Sequence, residues 1–249
     1  MLKRTFIHLP KVGPVTEARF WRQGLHTWED FLKASRVPGL HQERLIRLRL
    51  GLEESLEHVD DPGYFTTRLP SGEAWRLFQQ FRTRAAYLDI ETTGDSWYDM
   101  EVTVIGLYDG RVFYQFVQGE NLHEFRSIIS NYQMLITFNG AQFDLPVLRN
   151  YFGDLNLDQA HIDLRFVLAR LGYKGGLKRI EPQLGVIRPP DLEGLDGYDA
   201  VLLWQRYQRG DYTARDLLLR YNREDVINLE YLMEQAYQLF HDRLFSKAL

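Results

Sequence analysis

The stretch AAYLDIETTG, residues 85–94, sets two acids into an otherwise largely apolar run. Nothing in it follows helical spacing and Gly94 supplies a turn, so it reads as a buried strand. Side chains two apart on a strand share a face, which places Asp89 and Glu91 side by side. Adjacent carboxylates repel and are costly to desolvate, so packing alone is a poor reason for them. A divalent cation would remove that cost. An edge strand with both acids in water is the other reading open at this point.

Downstream, VTVIGLYDG and RVFYQFVQG are two apolar runs split by Asp109-Gly110, a hairpin signal. A helix is expected over Asn121 to Ser130, and QMLITFNG reads as a buried strand. The segment TFNGAQFDLPVLRN then carries Asn139-Gly140 at the strand end and Phe143-Asp144 at the start of a helix. A helix N-terminus near the carboxyl end of a central strand is where α/β sheets place ligands, so Asp144 can meet Asp89 and Glu91. Helix capping is the plainer role for it. ARDLLLRYNREDVINLEYLMEQAYQLF reads as a long helix. Tyr221 and Asp225, four apart, project from one face that Leu229 and Leu232 continue into the core.

Upstream, Gly13-Pro14 starts a helix expected to run from about Pro14 to Arg22. A second begins near Thr27, with Thr27 as N-cap and Asp30 as its acidic partner. Phe20, Trp21, Trp28 and Phe31 are candidate core. Residues 40–58 are expected to form one amphipathic helix or a pair interrupted at Gly51, and SGEAWRLFQQFRTR a helix capped by Ser71. A boundary near residue 80 separates an N-terminal helical region, 1–80, from a second domain, 81–249.

Composition narrows the chemistry. The chain has 249 residues, 45% hydrophobic and 26% charged, as in ordinary globular proteins. No apolar run matches a membrane span and the start lacks a signal-peptide core, so a cytoplasmic protein without a membrane partner is expected. It contains no cysteine, which excludes thiolate zinc sites and cysteine nucleophiles and leaves oxygen or histidine ligands. Carboxylates favour magnesium or manganese. Residues 1–50 hold ten Lys and Arg against four Asp and Glu, while residues 81–249 hold 18 against 24. A basic front joined to an acidic body suits a nuclease, whose partner is DNA or RNA.

LDIET, NGAQFD and YNRED, in that order, resemble the three exonuclease motifs of the DEDD superfamily of 3′–5′ exonucleases. Tyrosine four residues before the last aspartate marks the DEDDy branch; the histidine branch needs histidine where Arg220 stands. The match is closest to the bacterial YprB-like ribonuclease H-like family, which LPKVGPVTE and WRQGLHTWEDF also resemble. The resemblance implies an α/β fold: a ribonuclease H-like mixed five-stranded sheet flanked by helices, with the first strand central. Beside it would sit a small helix-hairpin-helix-like N-terminal region.

It further implies that Asp89, Glu91, Asp144 and Asp225 bind two Mg2+ or Mn2+ ions, with Tyr221 positioning the attacking water. Thr92, Thr93, Asn139 and Lys178 are candidate nucleic-acid contacts. So is the Lys11 to Gly13 turn, where Lys11 replaces the hairpin's usual first glycine. Phe143 is expected in the core, with Asp163 and Lys174 as weaker candidates. The implied substrate is single-stranded DNA or RNA, or a 3′ end. An endonuclease of the same fold and a non-catalytic nucleic-acid-binding scaffold are the alternatives.

Overall fold

The computed structural model describes residues 1–94 and 100–246. It contains two compact units, one of Met1–Arg82 together with residues from Tyr237 onward, the other of Thr83–Ala236.

The first unit carries helices α1 (Pro14–Arg22), α2 (Trp28–Lys33), α3 (Gln42–Glu57), α4 (Pro62–Thr66) and α5 (Phe78–Phe81). Phe6, Phe20, Trp28, Phe31 and Phe65 are fully buried, and Trp21 nearly so. Phe20 and Phe31 meet edge to face with centroids 5.1 Å apart. Thr27 accepts from the backbone N–H of Asp30, whose carboxylate accepts from the Thr27 N–H in return. Deleting such a cap costs about 1 kcal/mol. Thr27→Ala should therefore lower the Tm by a few degrees, read by thermal melting.

One open alternative closes here and one expectation is corrected. Helix α3 runs unbroken through Gly51; a Cβ there would meet Leu9 Cδ2 at 2.9 Å, so the glycine admits a close neighbour rather than ending a helix. Ser71–Leu77 is a 3-10 helix preceded by Pro70 and lacks the side-chain cap expected from Ser71. The tighter winding sets residues three apart above one another. It thereby brings buried Arg76 onto Glu73 at 2.7 Å, while Glu17 reaches the same guanidinium at 2.9 Å.

The second unit is built on β1 (Ala85–Thr92), β2 (Val102–Tyr108) and β3 (Phe113–Val117). Then come α6 (Phe125–Ile129), β4 (Met134–Thr137), α7 (Asp144–Phe152), β5 (Ala160–Asp163) and α8 (Leu164–Leu171). The helices α9 (Leu177–Ile180), α10 (Gly197–Gln208) and α11 (Tyr212–Ser246) follow. The α6 region is shorter than expected, because a 3-10 turn at Leu122–Glu124 precedes it.

The five strands form one mixed sheet in the order β3-β2-β1-β4-β5. β1 is central, antiparallel to β2 and parallel to β4, which excludes the solvated-edge reading of its acids. Asp109 closes the β2–β3 hairpin by accepting from the N–H groups of Arg111 and Val112. Alternation along β1 sorts its side chains. Ala86, Leu88 and Ile90 enter a core with Phe125, Ile129, Leu145 and Leu148. Asp89 and Glu91 take the other face, where Val104 and Val117 pack with Ala200, Leu203, Trp204, Leu218 and Tyr221. This is the ribonuclease H-like architecture expected from the sequence.

Helix α11 continues past Ala236, and its end counts with the first unit, whereas the sequence reading ran residues 81–249 as one region. Tyr237 and Phe240 pack there on Trp75, the latter stacked at 4.7 Å. Among the described residues no helix is long and apolar enough to cross a membrane.

Candidate active site

Strand β1 delivers Asp89 and Glu91 to one face, and α11 brings Asp225 down onto them. Each offers a carboxylate oxygen, and the three oxygens lie within 4.8 Å of one another. Glu91 and Asp225 are buried and Asp89 is half-buried. Asp144 opens α7 and is buried. The N-cap there is Phe143, so capping is not the role of Asp144. It stands outside the three-oxygen cluster but shares a cavity with it.

Burial and neighbouring negative charge hold Asp89, Glu91 and Asp144 against ionisation. Burial, then the charges of Asp225 and Glu91, raise the pKa of Asp89 well above the usual carboxylate range. Burial, then Asp225, lift Glu91 to about 8 against the opposing pull of Lys178. Burial lifts Asp144 to about 7, opposed by its own backbone N–H and helped by the charge of Asp163. Two cations already sit on Asp225: Lys178 pairs with it directly and Arg188 at 2.5 Å. Asp89 and Glu91, with pKa values raised even beside those cations, mark a site short of positive charge. Hard carboxylate oxygens of that kind fit a magnesium- or manganese-type ion.

Two cavities meet at the cluster and share Asp89, Phe138, Asn139, Gly197, Tyr221 and Asp225. One, of 680 Å³, is lined further by Arg165, Lys174, Gly175, Gly176 and Lys178. The other, of 440 Å³, is lined by Ile90, Glu91, Thr92, Phe143, Asp144, Tyr198 and Val201. Beyond the shared residues the first adds three cations against Asp196, a basic balance, and the second adds mostly apolar and aromatic side chains together with Glu91 and Asp144. Tyr221 borders both, is 3% exposed, and lies beneath Lys178, whose Nζ is 4.4 Å from the ring centroid. Burial first, then Asp225, Glu91 and Asp89, raise its phenol pKa, so the hydroxyl keeps its proton.

The remaining candidates separate. Thr92 lines the 440 Å³ cavity, its hydroxyl donating to Gly94 O at 2.7 Å. Thr93 borders neither cavity, and its hydroxyl accepts from the Glu101 N–H. Asn139 borders both with φ +70°, a left-handed backbone that asparagine tolerates. Asp163 supports that conformation by accepting from the N–H groups of Asn139 and Ala141, and it also caps α8 through Arg165 N. Lys174 and Lys178 line the basic cavity. Phe143 both packs on the core and lines the apolar cavity. Lys11 and Gly13 belong to the first unit. Lys11 is exposed with φ +58°, holding the left-handed geometry usual for the glycine it replaces, and Gly13 is the N-cap of α1.

Sequence reading passed over three contributors. Asn222, fully buried, donates from Nδ2 to Asp89 Oδ2 at 3.2 Å and to Glu91 Oε1 at 3.5 Å. Its position three before Asp225 on a helix was an available signal. Arg188 grips Glu181 with two bonds of 2.6 Å while reaching Asp225. Nothing local marks Arg188, because it comes from an irregular segment between Leu184 and Gly197. Arg165, which donates to Asn139 and to Gln142, is likewise brought in by the chain path.

A carboxylate cluster on the central strand of a five-stranded mixed sheet, with a basic groove beside it, defines an α/β protein with a cation-seeking site. The chain belongs to the RNase_H superfamily, whose family model matches residues 86–237. Among solved structures it is similar to the family B DNA polymerase of Pyrobaculum calidifontis, at 17% identity and a TM-score of 0.50. That match covers 61% of this chain and 24% of the polymerase, so the chain spans about a quarter of that protein. NrnC of Brucella melitensis bound to pGG matches at 21% identity and a TM-score of 0.46, covering 69% of this chain and 80% of NrnC. Escherichia coli RNase D matches at 18% and 0.42, covering 72% and 48% respectively. These likenesses concern the fold. No curated protein matches the chain significantly.

Proposed function

We propose that the chain is a metal-dependent 3′–5′ exonuclease of the DEDDy type, closest to the YprB-like branch, acting on single-stranded or 3′-ended DNA or RNA. The observation that carries this reading is the convergence of Asp89, Glu91 and Asp225 within 4.8 Å at the junction of a basic and an apolar cavity. In this reading those three acids and Asp144 would hold two Mg2+ or Mn2+ ions. Such ions, when bound, acidify a water and neutralise charge on the phosphate and leaving oxygen.

The chain's own residues do the rest. Lys178, Lys174 and Arg165 hold the strand's phosphates in the basic groove as charge partners. The terminal nucleotide enters the apolar cavity beside Thr92 and Asn139, with Thr93 a more distant contact; Tyr198 and Phe143 offer faces on which a base stacks. Water's oxygen forms a bond to the terminal phosphorus as the bond to the neighbouring 3′ oxygen breaks, the water losing one proton to solvent and the departing oxygen taking one up to become a 3′-hydroxyl. A nucleoside 5′-monophosphate and a strand one residue shorter result. Tyr221 keeps its proton and so positions water through its hydroxyl rather than acting as a base. Tyr221→Phe should slow turnover about 10- to 100-fold without abolishing it, the scale of a positioning defect. Single-turnover kinetics on a labelled oligonucleotide would measure this.

In the same reading the region 1–80 binds nucleic acid, with Lys11 and the Gly13 turn meeting a phosphate through side chain and backbone N–H. Region 81–249 carries the chemistry in a cytoplasmic setting. The test uses purified protein with 5′-labelled single-stranded DNA, single-stranded RNA and 3′-overhang duplexes, in Mn2+, Mg2+ or EDTA. A metal-dependent ladder shortening from the 3′ end is expected. Internal cuts would replace this reading by an endonuclease, and binding without cleavage by a scaffold.

A further inference from the structure

Asn222 is an uncharged group inside a cluster of charges, and the fold is shaped to keep it there. Its Nδ2 faces the Asp89 carboxylate, the Glu91 carboxylate and, at 3.4 Å, the Asp89 backbone oxygen. Its Oδ1 is buried without a hydrogen-bond partner among the described residues. That oxygen lies 2.3 Å from where a Cβ of residue 106 would be, too close for any side chain, and residue 106 is glycine. Gly106 is the ladder partner of Asp89 on β2, so one register position supplies both the acid and the space beside it. The same absent Cβ would also meet Val226 Cγ2 at 2.7 Å, so Gly106 lets α11 approach the sheet closely.

The two sides of the amide are not interchangeable here. Turned over, its oxygen would face two carboxylates, a repulsive contact, while its donors would face the Gly106 backbone carbon. The observed orientation sacrifices a hydrogen bond at Oδ1 and keeps donors toward both acids. A lysine or arginine could donate as well, but its charge would compete with a bound cation. A neutral amide orients the acids without lowering the negative charge of the site.

We propose that Asn222, seated by Gly106, is a positioning residue that holds Asp89 and Glu91 in the geometry that receives a divalent cation. This rests on the metal-binding part of the proposed function. Polar groups that orient metal ligands typically contribute 10- to 100-fold to affinity.

The test uses Asn222→Ala and Asn222→Leu, the second preserving volume while deleting the donor, in the full chain. Mn2+ is titrated calorimetrically, and kcat and KM are measured on a single-stranded oligonucleotide. The expected result is a Mn2+ Kd weakened about 10- to 100-fold in both variants. KM for the oligonucleotide should stay within about twofold while kcat at a fixed, subsaturating Mn2+ concentration falls. A folded variant whose Mn2+ Kd equals that of the wild type would overturn the positioning role alone. Failure of the wild type itself to bind Mn2+ would overturn the metal site and this role together. If neither variant folds, a crystal structure of the wild type with Mn2+ decides: Nδ2 still bonded to both carboxylates upholds the role, and an amide turned away from them overturns it.

Discussion

Asp89→Asn is expected to abolish cleavage while making the metal-free protein more stable. The acid sits in the central strand beside Glu91 and Asp225, and burial together with their charges raises its pKa well above the ordinary value. At neutral pH the native protein therefore either holds a proton on that group or bears an unfavourable charge, and asparagine removes the conflict. The gain should appear as a higher Tm in metal-free buffer. The same exchange removes a ligand oxygen from the proposed ion site, so turnover should fall by at least about 10³-fold, near 4 kcal/mol of barrier.

Asp225→Ala should lose activity equally but move stability the other way. Asp225 is buried and paired with Lys178 and with half-buried Arg188, and removing one partner of a fully buried pair costs about 3–5 kcal/mol, an upper bound here. Glu181 still holds Arg188, which places the cost at the lower end. Melting in EDTA alongside the cleavage assay checks both variants. Full activity in Asp225→Ala would refute the site, and a lower Tm in Asp89→Asn would refute the stored repulsion.

In EDTA, the carboxylate cluster should make the protein lose stability as pH rises from about 4.5 to about 8. The folded pKa of Glu91 is raised from 4.5 to about 8 and that of Asp144 from 3.8 to about 7. Between those values the native chain binds more protons than the unfolded chain, so stability falls with increasing pH. Buried His8, whose pKa is lowered from 6.5 to about 3, acts in the opposite sense below 6.5. The comparison is therefore made against Glu91→Gln, which removes one raised acid and leaves His8 untouched. Mn2+ replaces the bound protons, and at about 100 times its Kd it contributes about 2.7 kcal/mol. The Mn2+-induced rise in Tm should be larger at pH 8 than at pH 5 and nearly absent in Glu91→Gln. A wild-type increment independent of pH would contradict the raised pKa values.

Much of the architecture was legible because it rests on short-range pattern. The apolar run around Asp89 and Glu91, the Asp109-Gly110 turn and the helical spacing of Tyr221 and Asp225 each reflect a local period or turn preference. The Thr27 capping box is local in the same way. Whether Gly51 interrupts its helix stays open in the sequence, because the reason for a glycine there is a neighbour distant in sequence, Leu9. Ser71 failed as a cap because the buried pairs of Arg76 go with 3-10 winding.

The candidate site divides along the same line. Which acids could gather was written in local pattern: Asp89 and Glu91 share a face by strand alternation, and Asp225 and Tyr221 share one by helical spacing. What surrounds them depends on the folded path of the chain. It brought Lys178 and Arg188 onto Asp225, set Asn222 between two carboxylates in the space left by Gly106, and left Thr93 aside from both cavities. Local order follows from backbone geometry over a few residues. Charge balance and close approach follow from where the chain returns, which no short window of sequence contains.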